Sequence, residues 1–442
     1  MDIQLSDRFS FGRLIRFTLP SILMMVFTSI YGVVDGFFVS NFVGKTPFAA
    51  VNFIYPFLMV LGALGFMFGT GGGALIAKTM GEGNEEKAQQ QFSLFVYTTV
   101  VCGTVIALLG IAFIRPVAAF LGAEGQMLDD SVLYGRILLL SLPMLMLQYE
   151  FQSFFVIAER PQLGLAVTIA AGVANMVLDA LLTAVIPLGL VGAAIATTVS
   201  QLLGGVIPLV YFGRPNPSRL HLCKTNIDRT ALRKACTNGS SELMSNLSMS
   251  VVSMLYNVQL LKYAGENGIA AYGTLMYVNL IFLAIFIGYS VGSAPVISYH
   301  YGAGNHAELQ SLRKKSMAII LVSSAIMFML AELLAKPLST IFVGYDQALC
   351  DLTVRGFLIY SFSFLFAGVA IFGSSFFTAL NDGLTSALIS FLRTLLFQVA
   401  AVLIFPLLWE VDGIWISIVA AEVMAVLVTM LFMTIKKKQY HY

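Results

Sequence analysis

Residues 46–77 read TPFAAVNFIYPFLMVLGALGFMFGTGGGALIA, a stretch that contains no Asp, Glu, Lys or Arg. It is longer than the roughly 20 residues that one helix needs to cross a bilayer. Similar uncharged stretches occupy residues 88–114, 180–213, 267–307 and 356–381. The chain of 442 residues is 58% hydrophobic and 11% charged, whereas soluble domains carry roughly 25% charged residues. A soluble fold could not hide this much apolar surface, so the bilayer is the natural solvent.

The uncharged stretches predict helices rather than strands, because backbone groups in hydrocarbon must be hydrogen-bonded within their own segment. Charge clusters and Gly or Pro breaks separate the apolar runs from one another, and they predict an all-α membrane protein with twelve transmembrane helices. The predicted helices occupy residues 14–39, 48–77, 91–114, 132–157, 163–184, 188–212, 235–262, 269–297, 316–335, 353–379, 385–408 and 413–435.

Basic residues are distributed unequally between the two sides of these helices. With the N-terminus inside, the inner segments hold seventeen of the 25 Lys and Arg residues. The outer loops hold four, which are Lys45, Arg115, Lys262 and Lys336. This asymmetry predicts a multi-pass protein of the plasma membrane with both termini in the cytoplasm. The net charge of +2 gives no indication of a nucleic-acid partner, and we expect none.

A shift of 221 residues, half the chain, aligns the sequence with itself. It places Gly81-Glu82-Gly83-Asn84 on Gly302-Ala303-Gly304-Asn305, and Arg115-Pro116 on Lys336-Pro337. Each copy contains six predicted helices, an even number, so both copies enter from the same side as parallel repeats. Two like lobes around a central cleft are typical of alternating-access transporters. The predicted domains are an N-lobe over residues 1–212, a cytoplasmic linker over 213–234 and a C-lobe over 235–442.

Polar residues in the predicted membrane helices of the N-lobe indicate a structural or functional role. Placing a charged side chain near the bilayer centre costs on the order of 2.5–3.5 kcal/mol. Asp35 lies deep in predicted helix 1, and Asp179 follows Asn175 by one turn on the same face of predicted helix 5. With Thr197 of predicted helix 6, these residues offer hard oxygen atoms that could hold Na⁺, or carboxylates that could carry H⁺. A polar network that only fastens the three helices together would use the same residues.

Pro20 and Tyr31 precede Asp35 in predicted helix 1 and are candidates for hinge or gating residues. A proline inside a helix removes one backbone hydrogen bond and clashes with the preceding turn, so Pro20 predicts a bend or hinge. A static kink fits the same residue equally well. Tyr31 lies one turn before Asp35.

The C-lobe carries different intramembrane charges. Glu242 with Asn246 one turn later could meet a cationic substrate or a proton, or could only form a packing hydrogen bond. Arg393 and Glu422 lie at similar depth and predict a structural ion pair. The other candidates for the substrate cavity are Gln148, Glu150 and Tyr256, of which Tyr256 is the equivalent of Asp35.

Known catalytic and metal-binding patterns are missing from the sequence. The four cysteines have no CxxC spacing, the four histidines lie in loops or at the terminus, and there is no Walker A motif. We therefore expect no disulfide framework, no enzyme activity, no cofactor and no metal other than a possible bound Na⁺ or a transported H⁺.

Helix 1, with Pro20 and Ile30-Tyr31-Gly32-Val33-Val34-Asp35, resembles the multidrug and toxin extrusion (MATE) family. So do Asn175-Met176-Val177-Leu178-Asp179 and the paired stretches from Gly69 to Gly83 and from Pro295 to Asn305. The resemblance covers essentially the whole chain and is greatest to the bacterial MepA-like branch. Two positions depart from it, because Glu242 lies earlier in helix 7 than the acidic residue of some branches and Ala294 stands where a Gln often precedes the helix-8 proline.

The resemblance implies a V-shaped pair of lobes that exports organic cations or other amphipathic small molecules in exchange for Na⁺ or H⁺. It maps the family's ion site onto Asp35, Asn175, Asp179 and Thr197, its hinge onto Pro20 and its helix-1 tyrosine onto Tyr31. We expect a monomer whose partners are small-molecule substrates and membrane lipids. The alternatives are a lipid-linked oligosaccharide flippase of the same superfamily, which would need a more basic cavity, and a membrane binding or sensor protein without transport.

Overall fold

The computed structural model describes residues 3–442, except for the side chains of Ser40 and Lys45. Residues 1 and 2 of the predicted N-lobe and the side chain of Lys45 therefore lie outside the described residues. Within this part of the chain, nine helical segments are long and apolar enough to cross a membrane, and two bent helix pairs raise the number to eleven. The longest segment, Arg229–Gly302, is broken at Gly265, where φ is 64°. The break divides it into two helices, so the prediction of twelve is confirmed.

The twelve helices are numbered α1 to α12 in chain order. Their bounds are Phe11–Val43 (α1), Thr46–Gly81 (α2), Glu85–Phe120 (α3), Gly125–Leu140 with Leu142–Ile157 (α4), Pro161–Val185 (α5), Gly189–Gly213 (α6), 229–264 (α7), 266–302 (α8), His306–Val343 (α9), Gln347–Ser361 with Phe364–Ala379 (α10), Gly383–Ile404 (α11) and Pro406–Ile435 (α12).

The observed helices differ from the predicted ones in length and shape. α3 and α9 continue beyond their apolar cores, because polar first turns capped by Asn84 and Asn305 extend them at one end. α4 bends by 58° near Ser141, and α10 bends by 49° at its equivalent position. Apolar content does not encode such bends, so the sequence predicted straight segments there.

The repeat is also present in the backbone geometry. Gly44 and Gly265, which precede α2 and α8, both have positive φ, as do Gly83 and Gly304 at the ends of those helices. Glycine adopts positive φ at the least steric cost, so both copies of the repeat use it at these turns. Asn84 and Asn305 then cap the following helices in the same way, by accepting a backbone N–H three residues on. The two six-helix lobes therefore share their turns as well as their helices.

The two lobes meet closely at one end of the molecule, along a glycine seam formed by Gly71, Gly81, Gly239 and Gly302. A Cβ atom at Gly71 would overlap backbone atoms of α7, and one at Gly239 would overlap the backbone of α2. Gly81 and Gly302 pack in the same way against α8 and α2, respectively. Because no side chain separates the backbones, the lobes close this end of the central cleft. The charge distribution predicts that it is the cytoplasmic end.

Residues before α1 join the lobes at the same end. The backbone N–H of Leu5 donates to Oε1 of Glu159 in the N-lobe at 2.7 Å, and the backbone N–H of Phe9 donates to Oε1 of Glu308 in the C-lobe at 2.9 Å. Lys315 of α9 donates to the carbonyl oxygen of Phe9. The side chains of Leu5 and Phe9 are buried. This segment therefore stabilises the closed end that the glycine seam forms.

We predict that Gly71→Ala opens the seam. The added methyl group would overlap backbone of α7, which can retreat only if the lobes separate. Pulsed electron paramagnetic resonance between spin labels at Glu86→Cys and Ala307→Cys, both exposed in the wild-type chain, should then give a longer and broader distance distribution. Gly32→Ala in α1 is the matched control, because a Cβ there meets no atom within 4 Å. An unchanged distribution in Gly71→Ala would show that the seam does not hold this end closed.

Candidate ion site and central cavity

Two carboxyl groups lie together inside the N-lobe. The side chains of Asp35 in α1 and Asp179 in α5 are within interaction range of each other, and the hydroxyl of Thr197 in α6 lies against Asp35. Asp179 is fully buried, and neither of its carboxyl oxygens has a hydrogen-bond partner. Among the described residues, no Lys, Arg or His acts on either carboxyl group. Two like charges this close, one of them fully buried, are strongly unfavourable when neither is neutralised.

Further oxygen atoms surround this pair. Asn175 is 2% exposed and its Oδ1 has no hydrogen-bond partner. It lies one turn before Asp179 on α5, on the same face. The fully buried Tyr134 of α4 faces both carboxyl groups and lies within interaction range of Thr197. The structure thus brings together three of the four predicted ion-site residues by direct interaction, with Asn175 adjacent to them on α5.

α1 connects the ion site to the centre of the molecule. Tyr31, one turn before Asp35, interacts with Gln148 of α4 and with Thr28 of its own helix. Its ring and that of Phe27 pack against Gly172 of α5, where a side chain would not fit. Pro20 is buried inside the continuous helix Phe11–Phe38. The part of α1 between Pro20 and Asp35 is therefore in contact with α4 and α5.

A central cavity of about 650 Å³ lies between the lobes. Its volume is in the range of sites for small organic molecules. Residues of α1, α2 and α4 contribute small or flexible side chains, and α7, α8 and the last three helices contribute the aromatic and charged ones. Among the lining residues are Thr28, Met249, Tyr272, Tyr277, Tyr360 and Gln398.

The five predicted cavity residues are distributed over several environments. Glu242 lines the cavity, and its carboxyl group has no charged neighbour among the described residues. Gln148 contacts Tyr31, and Glu150 is fully buried between helices of the N-lobe. Asn246 donates to the backbone oxygen of Glu242 at 2.8 Å. The buried hydroxyl of Tyr256 bonds to Ser417 at 3.1 Å. Of the five predicted cavity residues, Glu242 alone lines the cavity in this structure.

Arg393 and Glu422 form a bidentate pair between α11 and α12. Nε of Arg393 lies 2.9 Å from Oε2 of Glu422, and Nη2 lies 2.8 Å from Oε1. Their side chains are 14% and 5% exposed, and both line the central cavity. The predicted pair is therefore present, and it faces the cavity as well as joining two helices. With Glu242, it leaves an excess of negative charge on this wall when all three groups are ionised.

Sequence reasoning missed Tyr134 and Thr28. Tyr134 lies in the first half of α4, before the 58° bend near Ser141. Thr28 could have been found, because it lies about one turn before Tyr31 on the same face of α1 and carries a hydroxyl. It matters because it both lines the cavity and contacts Tyr31.

The MatE family pattern matches the chain twice, over residues 20–181 and 243–404. The two matches are equal in length and together cover well over half of the chain, so the chain belongs to the MatE family. It is therefore a membrane transporter and not an enzyme. The two matched stretches fall in the two lobes and begin at corresponding helices, α1 and α7.

Similar proteins include the multidrug export protein MepA of Staphylococcus haemolyticus, which is 25% identical over 319 residues, or 72% of this chain and 69% of the relative. MepA of Staphylococcus saprophyticus is 24% identical over 435 residues, or 95% of this chain and 93% of the relative. A crystal structure of MATE in complex with MaL6 matches with a TM-score of 0.93 at 20% identity and covers 98% of both chains. An outward-facing multidrug resistance MATE transporter also gives 0.93 at 20% identity, covering 98% of this chain and 97% of that one. These structures confirm the predicted two-lobe fold.

We predict that Glu422→Gln destabilises the protein by roughly 3 kcal/mol, because it leaves the Arg393 guanidinium charged and buried without its partner. Unfolding by denaturant in detergent, followed by the fluorescence of the nearby buried Trp415, measures this loss. Replacing both residues by apolar ones, Arg393→Met with Glu422→Leu, should recover most of it. Asp412→Asn is the control, since its pair with Arg355 is mostly exposed and contributes little. Equal midpoints for Glu422→Gln and the wild type would contradict the structural role of the pair.

Proposed function

We propose that the chain is a secondary antiporter that exports amphipathic, often cationic, small molecules in exchange for H⁺ or Na⁺. The observation that carries the proposal is the pair of Asp35 and Asp179, two carboxyl groups held together inside the membrane with no basic partner among the described residues. Such a pair binds a small cation more tightly than either group would alone. Its occupancy can therefore respond to an ion gradient.

α1 would transmit that occupancy to the cavity. When the Asp35–Asp179 site loses its cation, the two carboxylates repel each other, and Asp35 can move away from α5. Tyr31 and Thr28 lie on the same helix, and Thr28 lines the cavity, so movement of α1 changes the cavity wall. Pro20 supplies a position where α1 can bend, because its ring removes a backbone hydrogen bond. The existence of solved MATE structures in bent and straight conformations supports this proposal by analogy.

The cavity wall supports an amphipathic cation as substrate. Glu242 offers a carboxylate that no cation of the protein neutralises, and Tyr272, Tyr277 and Tyr360 offer aromatic faces. Met249 adds a flexible thioether that adapts to different shapes. The names of the relatives, multidrug export proteins, agree with a cavity of this kind. We also propose that the two lobes, residues 1–212 and 235–442, move relative to each other and that residues 213–234 link them.

We predict that Asp35→Asn abolishes ion-driven efflux. The amide keeps the shape of the side chain but cannot ionise, so the site no longer exchanges a cation for substrate. The assay is efflux of a fluorescent cationic dye from proteoliposomes under H⁺ and Na⁺ gradients that are imposed separately. Efflux by Asp35→Asn should fall to the level of protein-free vesicles. The gradient that drives efflux by the wild type identifies the coupling ion. Asp351→Asn, the same change at an exposed position of α10, should retain the wild-type rate. Full ion-driven efflux by Asp35→Asn would overturn the proposed coupling site.

We predict that Glu242→Gln weakens cation recognition. Loss of one desolvated charge contact corresponds to about 1.4 kcal/mol, so the apparent KM for a cationic dye should rise about tenfold. The KM for an uncharged substrate of similar size should stay unchanged. Glu266→Gln, an exposed glutamate at the start of α8, is the matched control. Equal increases for charged and uncharged substrates would mean that Glu242 shapes the cavity and does not recognise charge.

A further inference from the structure

Glu150 is a buried acid that the proposed coupling mechanism does not use. It lies in the second half of α4, its side chain is 0% exposed, and neither carboxyl oxygen has a hydrogen-bond partner among the described residues. The hydroxyl of Thr99 in α3 is within interaction range of the carboxyl group. A buried carboxyl group with so few partners is rare, because desolvation of its charged form is expensive.

The helices packed against Glu150 present uncharged groups to it. α2 contributes the backbone at Gly69, where a Cβ atom would lie 3.0 Å from the Cα of Glu150, and α3 contributes Thr99. The adjacent titratable residue of α4, Tyr149, stacks instead on Phe66, with ring centroids 4.2 Å apart. No charged group among the described residues acts on the Glu150 carboxyl. The neutral acid is therefore the stable form in this conformation.

Glu150 is also close to the central cavity. Gly69 and Ser153 both line the cavity, and Gly69 packs directly on Glu150. Gly69 belongs to a π turn, Phe68–Gly72, inside α2. Such turns break the regular helical hydrogen bonding and often lie at functional sites. A glycine backbone in an irregular turn thus lies between the main chain of Glu150 and the cavity.

We propose that Glu150 is a second proton-binding site of the N-lobe, separate from Asp35 and Asp179. In the conformation described here it holds a proton. When the π turn of α2 moves and water from the cavity reaches the carboxyl group, the acid O–H bond breaks, the proton passes to water and the carboxylate remains. The transport role of this step rests on the proposed antiport function, whereas the bound proton does not.

Infrared difference spectroscopy on the purified full-length protein tests the bound proton. The carbonyl stretch of a protonated carboxylic acid should be present at neutral pH in the wild type and lost in Glu150→Gln. It should be retained in Glu124→Gln, which removes an exposed carboxyl group. Identical wild-type and Glu150→Gln spectra in this region would show that Glu150 is ionised and would overturn the proposal. If Glu150→Gln does not fold, Glu150→Asp provides the second test, because the shorter acid should move the carbonyl-stretch band to a different frequency; a spectrum identical to that of the wild type in this region would also overturn the proposal.

Proton counting tests release. In proteoliposomes, the ratio of protons to exported dye molecules should be lower by a single proton in Glu150→Gln than in the wild type, with dye efflux still driven by the pH gradient. An unchanged ratio would show that the Glu150 proton is not released. If the wild type shows no ion-driven efflux at all, the proposed antiport fails, while the infrared band still decides whether Glu150 binds a proton.

Discussion

An ionised group inside hydrocarbon must be paired, neutralised or removed, and this constraint determines where the chain places its polar residues. The two lobes satisfy it differently. In the C-lobe, Arg393 and Glu422 neutralise each other through a bidentate contact. In the N-lobe, Asp35 and Asp179 face each other without a basic partner among the described residues, so neutralisation must come from a cation outside the chain. Glu242 is the exception in the C-lobe, because it is a cavity-lining acid with no charged neighbour among the described residues.

The glycine seam determines where the central cavity lies. Because backbones of α2 and α7 touch at Gly71 and Gly239, the lobes are fixed at one end and the cavity lies in the remaining cleft. Hydrogen bonds from Leu5 and Phe9 reinforce the same end. The hydrogen bonds are individually weak, and the side chains of Leu5 and Phe9 add apolar packing in one cluster with residues of the C-lobe. Closure of this kind can be reversed without unfolding either lobe, which an alternating-access transporter requires.

The sequence predicted the membrane helices, which follow from apolar composition, and the equivalent positions of the two lobes, which follow from the internal repeat. Long uncharged runs predicted the helices, and the shared offset predicted that Gly83 and Gly304 are equivalent, in agreement with the positive φ of both residues. The predicted helices did not include the bends of α4 and α10; Pro143 just after Ser141 is a residue type that marks a kink in α4, whereas no proline lies at the bend of α10, between Ser361 and Phe364. The sequence also grouped Glu150 and Tyr256 with the cavity wall, although both side chains are fully buried and neither lines the cavity. Facing direction along an apolar helix has little sequence signal when all its sides are buried or in lipid.

The two copies of the repeat differ in chemistry at the position of the proposed ion site. Tyr256 occupies the position of Asp35, and its hydroxyl is paired with Ser417 at 3.1 Å, while its ring stacks on Tyr272 with centroids 5.5 Å apart. Leu396 and Ala400 stand where the N-lobe has Asn175 and Asp179. This arrangement is neutral and fully hydrogen-bonded, so no change in ion concentration alters its energy. A common scaffold thus carries a stable neutral contact in one copy and an incomplete charged site in the other. Under the proposed mechanism, the charged site of the N-lobe is therefore the one whose net charge a bound H⁺ or Na⁺ would change.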